Sequence, residues 1–137
     1  MYSNKYVIEL IKDAINDETA TYKYYSKLAN SMRDIDDKKT LEQMSLDEQK
    51  HKKMFEDIYK KLTNENYTAK NMDYGNISPV PSDNFTRSIN GELSTVESYR
   101  PILFSLENPQ FKNYLIEIIT DEQNHAARLN YMYSKYR

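Results

Sequence analysis

The pentapeptide DEQKH at Asp47–His51 returns as DEQNH at Asp121–His125, 74 positions later. Each copy places a Glu and a His at i and i+3, one turn apart on the same face of a helix. The repeat extends outward from these pairs. Glu18 stands 30 residues before Glu48, and Glu92 stands 30 residues before Glu122. Tyr25 follows Glu18 by seven positions and Tyr99 follows Glu92 by seven; Thr21 and Thr95 each follow their Glu by three. A chain built this way is two versions of one half.

Helical periodicity surrounds all four Glu. The apolar stripes run through Val7, Leu10 or Ile11, Ala14, Glu18, Thr21, Tyr25, Leu28 and Met32; Leu41, Met44, Glu48, His51, Phe55, Ile58 and Leu62; Phe85, Ile89, Glu92, Val96, Tyr99, Leu103 and Leu106; and Phe111, Leu115, Ile118, Glu122, His125, Leu129 and Met132. Steps of three and four alternate, which is the seam of a left-handed bundle. The chain has only two Gly and four Pro, so a turn-rich β fold is disfavoured and long helices are favoured. The expected architecture is all-α, a four-helix bundle in one domain over residues 1–137. Its helices fall at about 4–33, 37–63, 85–106 and 109–135. Asp36 or Asp37 is the expected cap of the second helix, and Asn108 with Pro109 opens the fourth. Pro101 inside the third either kinks it or is absorbed near a local irregularity. A loop over about 64–84 is too long for an ordinary turn and suits a crossover between two antiparallel hairpins.

Geometry then brings the repeated residues together. Antiparallel helices place residues level when they are equidistant from the turn. The midpoint of 18 and 48 is 33 and that of 92 and 122 is 107, both inside the expected turns. Each Glu lies ~22 Å from its turn at 1.5 Å per residue. Packing the hairpins converges four carboxylates and two imidazoles. Like charges ~5 Å apart repel by ~3 kcal/mol per pair at an effective dielectric of 20, and desolvation adds to this. Two divalent cations offset four Glu when both His are neutral. Four carboxylates with two imidazoles suit iron or manganese better than zinc.

Other classes recede. The net charge of −2 leaves no basic footprint for nucleic acid, and no apolar run approaches the ~20 residues of a membrane span. The absence of Cys removes disulfides, iron–sulfur clusters and thiolate zinc sites. A soluble cytoplasmic protein is expected.

With these residues in place the chain resembles the ferritin-like di-iron carboxylate proteins, in which one Glu from each of two helices joins Glu-x-x-His from each of the other two. The layout is similar to a rubrerythrin-type domain, with Glu-x6-Tyr and Glu-x-x-His. Rubrerythrins carry a further Glu one turn after the third-helix ligand, where this chain has Thr95. The six-ligand set Glu18, Glu48, His51, Glu92, Glu122 and His125 is instead similar to the bacterioferritin ferroxidase centre. The resemblance implies terminal Glu18 and Glu92, bridging Glu48 and Glu122, and one His on each of two iron ions, with manganese as the other metal. Asp47 and Asp121 are expected to accept from the imidazole of the opposite hairpin. Thr95 stands beside the ligands. Tyr25 and Tyr99 stand behind them as core aromatics or redox relays, ~10 Å along the helix from their own Glu.

The implied activity is that of a di-iron oxidoreductase of peroxidase or ferroxidase type, taking H2O2 or O2 and drawing electrons from a separate donor protein. The chain ends 12 residues after His125, short of the fifth helix that ferritin cages use, so a homodimer or small homo-oligomer is expected. The competing expectation is a non-enzymatic bundle for assembly or a coat, with a structural di-metal site.

Overall fold

The computed structural model describes residues 4–137. Among them there are four helices and no strand: α1 (Asn4–Ser31), α2 (Ile35–Thr63), α3 (Pro81–Ser105) and α4 (Pro109–Tyr136). The chain divides into two compact units, Met1–Gly75 and Asn76–Arg137.

In the first unit α1 packs along α2. The buried side of α1 carries Val7, Ile11, Ala14, Tyr25 and Leu28, and that of α2 carries Leu41, Met44, Phe55 and Ile58. These are stripe residues; Thr21 and Met32 of the first stripe are only half-buried, and Leu62 at the end of the second is 47% exposed. Each fully buried aliphatic or Phe side chain contributes about 1.5–3 kcal/mol. Helix α2 starts earlier than the sequence reading placed it. Its cap is Asp34, whose carboxylate accepts from Asp37 N at 2.9 Å, rather than Asp36 or Asp37. Those two residues fall in the first turn, where negative charge still favours the helix N-terminus. The helix closes at Asn64, left-handed at φ 62°, whose N–H donates to Lys60 O.

Beyond Asn64 the chain turns back onto α1. Asn16, 5% exposed, fastens it: its Oδ1 accepts from Lys70 N at 2.8 Å, and its amide exchanges hydrogen bonds with the Tyr67 hydroxyl at 3.0 and 3.2 Å. Farther along, the Tyr74 ring packs 5.0 Å from that of Tyr24, and Asp73 reaches Lys27 at 3.7 Å. Residues 67–74 therefore follow α1 in its own direction.

In the second unit α3 packs along α4. Helix α3 begins at Pro81, four residues before the expected start, so the connecting loop is 64–80. A Pro at the first helical position breaks nothing, because its fixed φ is helical and its missing N–H would be unpaired there. Asn84 secures this start by accepting from Ser78 N at 2.8 Å and donating to Ser78 O at 3.0 Å. Pro101 is absorbed: the helix continues through it to Ser105. Asn108 caps α4, accepting from Gln110 N and Phe111 N ahead of Pro109 at the helix start, as the sequence indicates. Phe85, Val96, Ile102, Leu115, Ile118, Leu129 and Met132 form the apolar interior.

Candidate metal centre

The turn between α1 and α2 contains residue 33, and the turn between α3 and α4 contains residue 107. The level pairing expected from the spacing is therefore met within each hairpin. In the first unit His51 Nδ1 lies 3.5 Å from Glu18 Oε2 and 3.9 Å from Glu48 Oε1. In the second, His125 Nδ1 lies 3.5 Å from Glu92 Oε1 and 3.9 Å from Glu122 Oε1. The two sets agree in every distance, as expected of a repeat folded twice. All six side chains are buried, none more than 2% exposed. In each unit, one ligand atom from each of the three residues lies within 4.8 Å of the others.

These separations are too long for hydrogen bonds. His51 Nδ1, Glu18 Oε2, Glu48 Oε1, Glu122 Oε1 and His125 Nδ1 are buried atoms that make none, although each residue has other interactions. The separations do suit a cation. Oxygen and nitrogen ligands bind metals at ~2.1 Å, so two ligands of one ion stand at most ~4.2 Å apart. Spacings of 3.5 and 3.9 Å fall below that limit. Two buried carboxylates and one imidazole are an unfavourable group by themselves, because desolvation penalises each charge and the charges repel. A divalent ion offsets both costs. The donor set thus fits a metal in chemistry and in spacing.

The remaining sequence candidates lie on the same four helices. Asp47 and Asp121 are half-buried, and Asp47 accepts from Gln43 Nε2 at 2.9 Å. The Thr95 hydroxyl donates to its own helix, at Gly91 O, 2.8 Å away. Thr21 does the same at Asp17 O, at 2.7 Å. The place of a rubrerythrin's extra carboxylate therefore holds a hydroxyl engaged by the backbone. Tyr25 and Tyr99 are buried, and the Tyr25 ring lies 6.3 Å from that of Tyr24. Asp17, next to Glu18, is pushed up to about 6, first by desolvation and then by the charges of Asp13 and Glu18. Asp17 is exposed, so solvent screens much of that effect. Sequence reasoning passed over Asn16 and Ser88. Both are buried polar residues whose roles depend on what lies opposite them.

Comparison with known proteins bears on this site. The rubrerythrin family model matches residues 6–80. The uncharacterised protein YhjR of Bacillus subtilis is 29% identical over 125 residues, covering 88% of this chain and 82% of that protein. Among solved structures, the chain is similar to the Desulfovibrio desulfuricans bacterioferritin, described with its diiron site in different catalytic states. The TM-score is 0.81 at 22% identity, over 95% of this chain and 79% of that one. The architecture is thus an all-α four-helix bundle of the ferritin-like kind. Together with the two Glu/Glu/His sets, the family points to a di-metal site.

Proposed function

The chain belongs to the rubrerythrin family, and from that premise we propose that it is a di-iron redox protein acting in the cytoplasm on hydrogen peroxide or dioxygen. The observation that carries this reading is the doubled donor set, with a His nitrogen 3.5 and 3.9 Å from two buried carboxylates in each hairpin.

Each residue has a part in it. Glu18 with His51, and Glu92 with His125, would hold one ion per half. Glu48 and Glu122 would each add a second carboxylate to the set in their own half. Four carboxylates bring a charge of −4 against +4 from two divalent ions, leaving the buried group neutral. Asp47 and Asp121 would orient the imidazoles by accepting from the ring nitrogen not used for metal. When bound, two iron ions, or two manganese ions in their place, supply two electrons and Lewis acidity. The apolar residues around the ligands exclude bulk water and strengthen every charge interaction inside. Peroxide reduction balances as H2O2 with two electrons and two protons giving two waters. The electrons come from a separate donor protein or from Fe2+ itself as substrate. A homodimer or small homo-oligomer is the working assembly.

The test is anaerobic loading with Fe2+, metal analysis, and stopped-flow mixing with H2O2 or O2. Two metals per chain and oxidation by either oxidant are expected. A loaded protein that neither consumes peroxide nor oxidises Fe2+ refutes the redox role. Unchanged metal content in Glu48→Ala refutes the site.

A further inference from the structure

Ser88 departs from a pattern that several of the chain's helical hydroxyls follow. A Ser or Thr inside a helix has an acceptor at hand in the carbonyl four residues back. Thr19, Thr63, Thr86 and Ser105 all use it, at 2.7 to 2.9 Å. Ser88 is 2% exposed, yet its Oγ makes no hydrogen bond with Asn84 O or with any other described group. A buried hydroxyl without a partner is destabilising, and in native proteins it calls for an explanation.

Its place in the fold supplies one. Ser88 precedes Glu92 by one turn on the buried face of α3, ~6 Å along the axis. Helical side chains lean toward the N-terminus of their helix. A Glu92 side chain with this lean reaches back toward the turn that carries Ser88. The repeat also breaks at this position. Glu18 and Glu92, Thr21 and Thr95, and Tyr25 and Tyr99 correspond across 74 residues, but the counterpart of Ser88 is Ala14. The hydroxyl belongs to the second half alone.

We infer that Ser88 anchors a binding position for one small neutral hydroxylic molecule beside Glu92: water in the resting protein, hydrogen peroxide when it is present. This deepens the metal-centre reading and rests on it for the peroxide. The chemistry selects the guest. A serine hydroxyl gives one donor and accepts at two lone pairs, whereas a carboxylate only accepts. A molecule held between them must donate to Glu92 while it pairs with Ser88. Water and hydrogen peroxide can do so; dioxygen carries no donor and cannot.

Crystal structures of the metal-free wild type and Ser88→Ala decide the position. An ordered water ~2.8 Å from Ser88 Oγ is expected in the wild type and absent from the variant, with no counterpart at Ala14. Ser88 Oγ donating instead to Asn84 O, with no water near it, overturns the proposal. This readout needs no metal, so it stands apart from any failure of the di-iron reading. In the loaded protein, Ser88→Ala is expected to raise the KM for peroxide about fivefold, the equivalent of one hydrogen bond, at equal metal content and with the reaction with dioxygen unchanged. An unchanged KM for peroxide overturns the peroxide assignment.

Discussion

Replacing Glu48 by Gln separates what the carboxylate does for metal from what it costs the fold. Gln keeps the shape and removes the charge. Ligand atoms of Glu18 and Glu48 lie within 4.8 Å of each other in a nearly solvent-free interior. Two unit charges at that distance repel by about 3.5 kcal/mol at an effective dielectric of 20. Without metal, Glu48→Gln relieves most of this and is expected to stabilise the protein by about 2–3 kcal/mol, a rise of roughly 5–10 °C in Tm at this chain length. With metal the sign reverses. The wild type gains stability as ligand binds the folded state alone, about 2.7 kcal/mol at a hundredfold excess over Kd. The variant has lost an anionic donor and gains little. The assay is thermal melting by circular dichroism of both proteins, with chelator and with added Fe2+ under anaerobic conditions. A variant that melts below the wild type in chelator, and that rises as much as the wild type with Fe2+, refutes the reasoning.

Other expectations follow from the same geometry. Because the two half-sites match in every distance, His51→Ala and His125→Ala should lower bound iron by similar amounts; metal analysis that finds one variant fully loaded would break the equivalence. Asn16→Ala removes the amide that holds Tyr67 and Lys70. It should cost about 1–3 kcal/mol and admit protease within residues 64–75, and a cleavage pattern like that of the wild type would show the loop is held otherwise. Asp17 is raised to about 6 in the folded protein, against 3.8 ordinarily. Its ionisation therefore opposes folding above pH 6, and the penalty vanishes below pH 4. Asp17→Asn should raise the Tm of the metal-free protein at pH 7–8, with the gain closing between pH 6 and 4 and shrinking in high salt. Asp34→Ala should lower Tm by the loss of one helix cap, about 0.5–2 kcal/mol, whereas Asp36→Ala should change it far less.

The pairing of the candidate ligands was legible because it depends on one constant. The rise per residue of a helix is the same for any sequence, so equal distances from a turn place Glu18 level with Glu48 and Glu92 level with Glu122 without knowledge of packing. Inward facing was legible because the four Glu and two His interrupt apolar stripes. The Asn108–Pro109 start of α4 was also readable, since a side-chain acceptor followed by Pro has few other uses.

The cap of α2 was not readable to the residue. Asp34, Asp36 and Asp37 lie within four positions, and any of them can accept from a backbone N–H. Which one does so depends on where the chain leaves α1. The start of α3 was misjudged for a related reason. Pro81 ends or begins a helix according to its surroundings, and Asn84 folding back on Ser78 supplies the surroundings.

The sequence by itself determined the helices and their pairing into hairpins, and it singled out the candidate donor set, because these follow from local periodicity and fixed helical geometry. Only the tertiary structure decided the rest: that residues 67–74 follow α1 through Asn16, and that the Ser88 hydroxyl makes no hydrogen bond to the carbonyl of Asn84. A single polar residue in a helix carries no pattern. Its hydrogen bonds depend on what lies across from it, and that is settled only when the chain is packed.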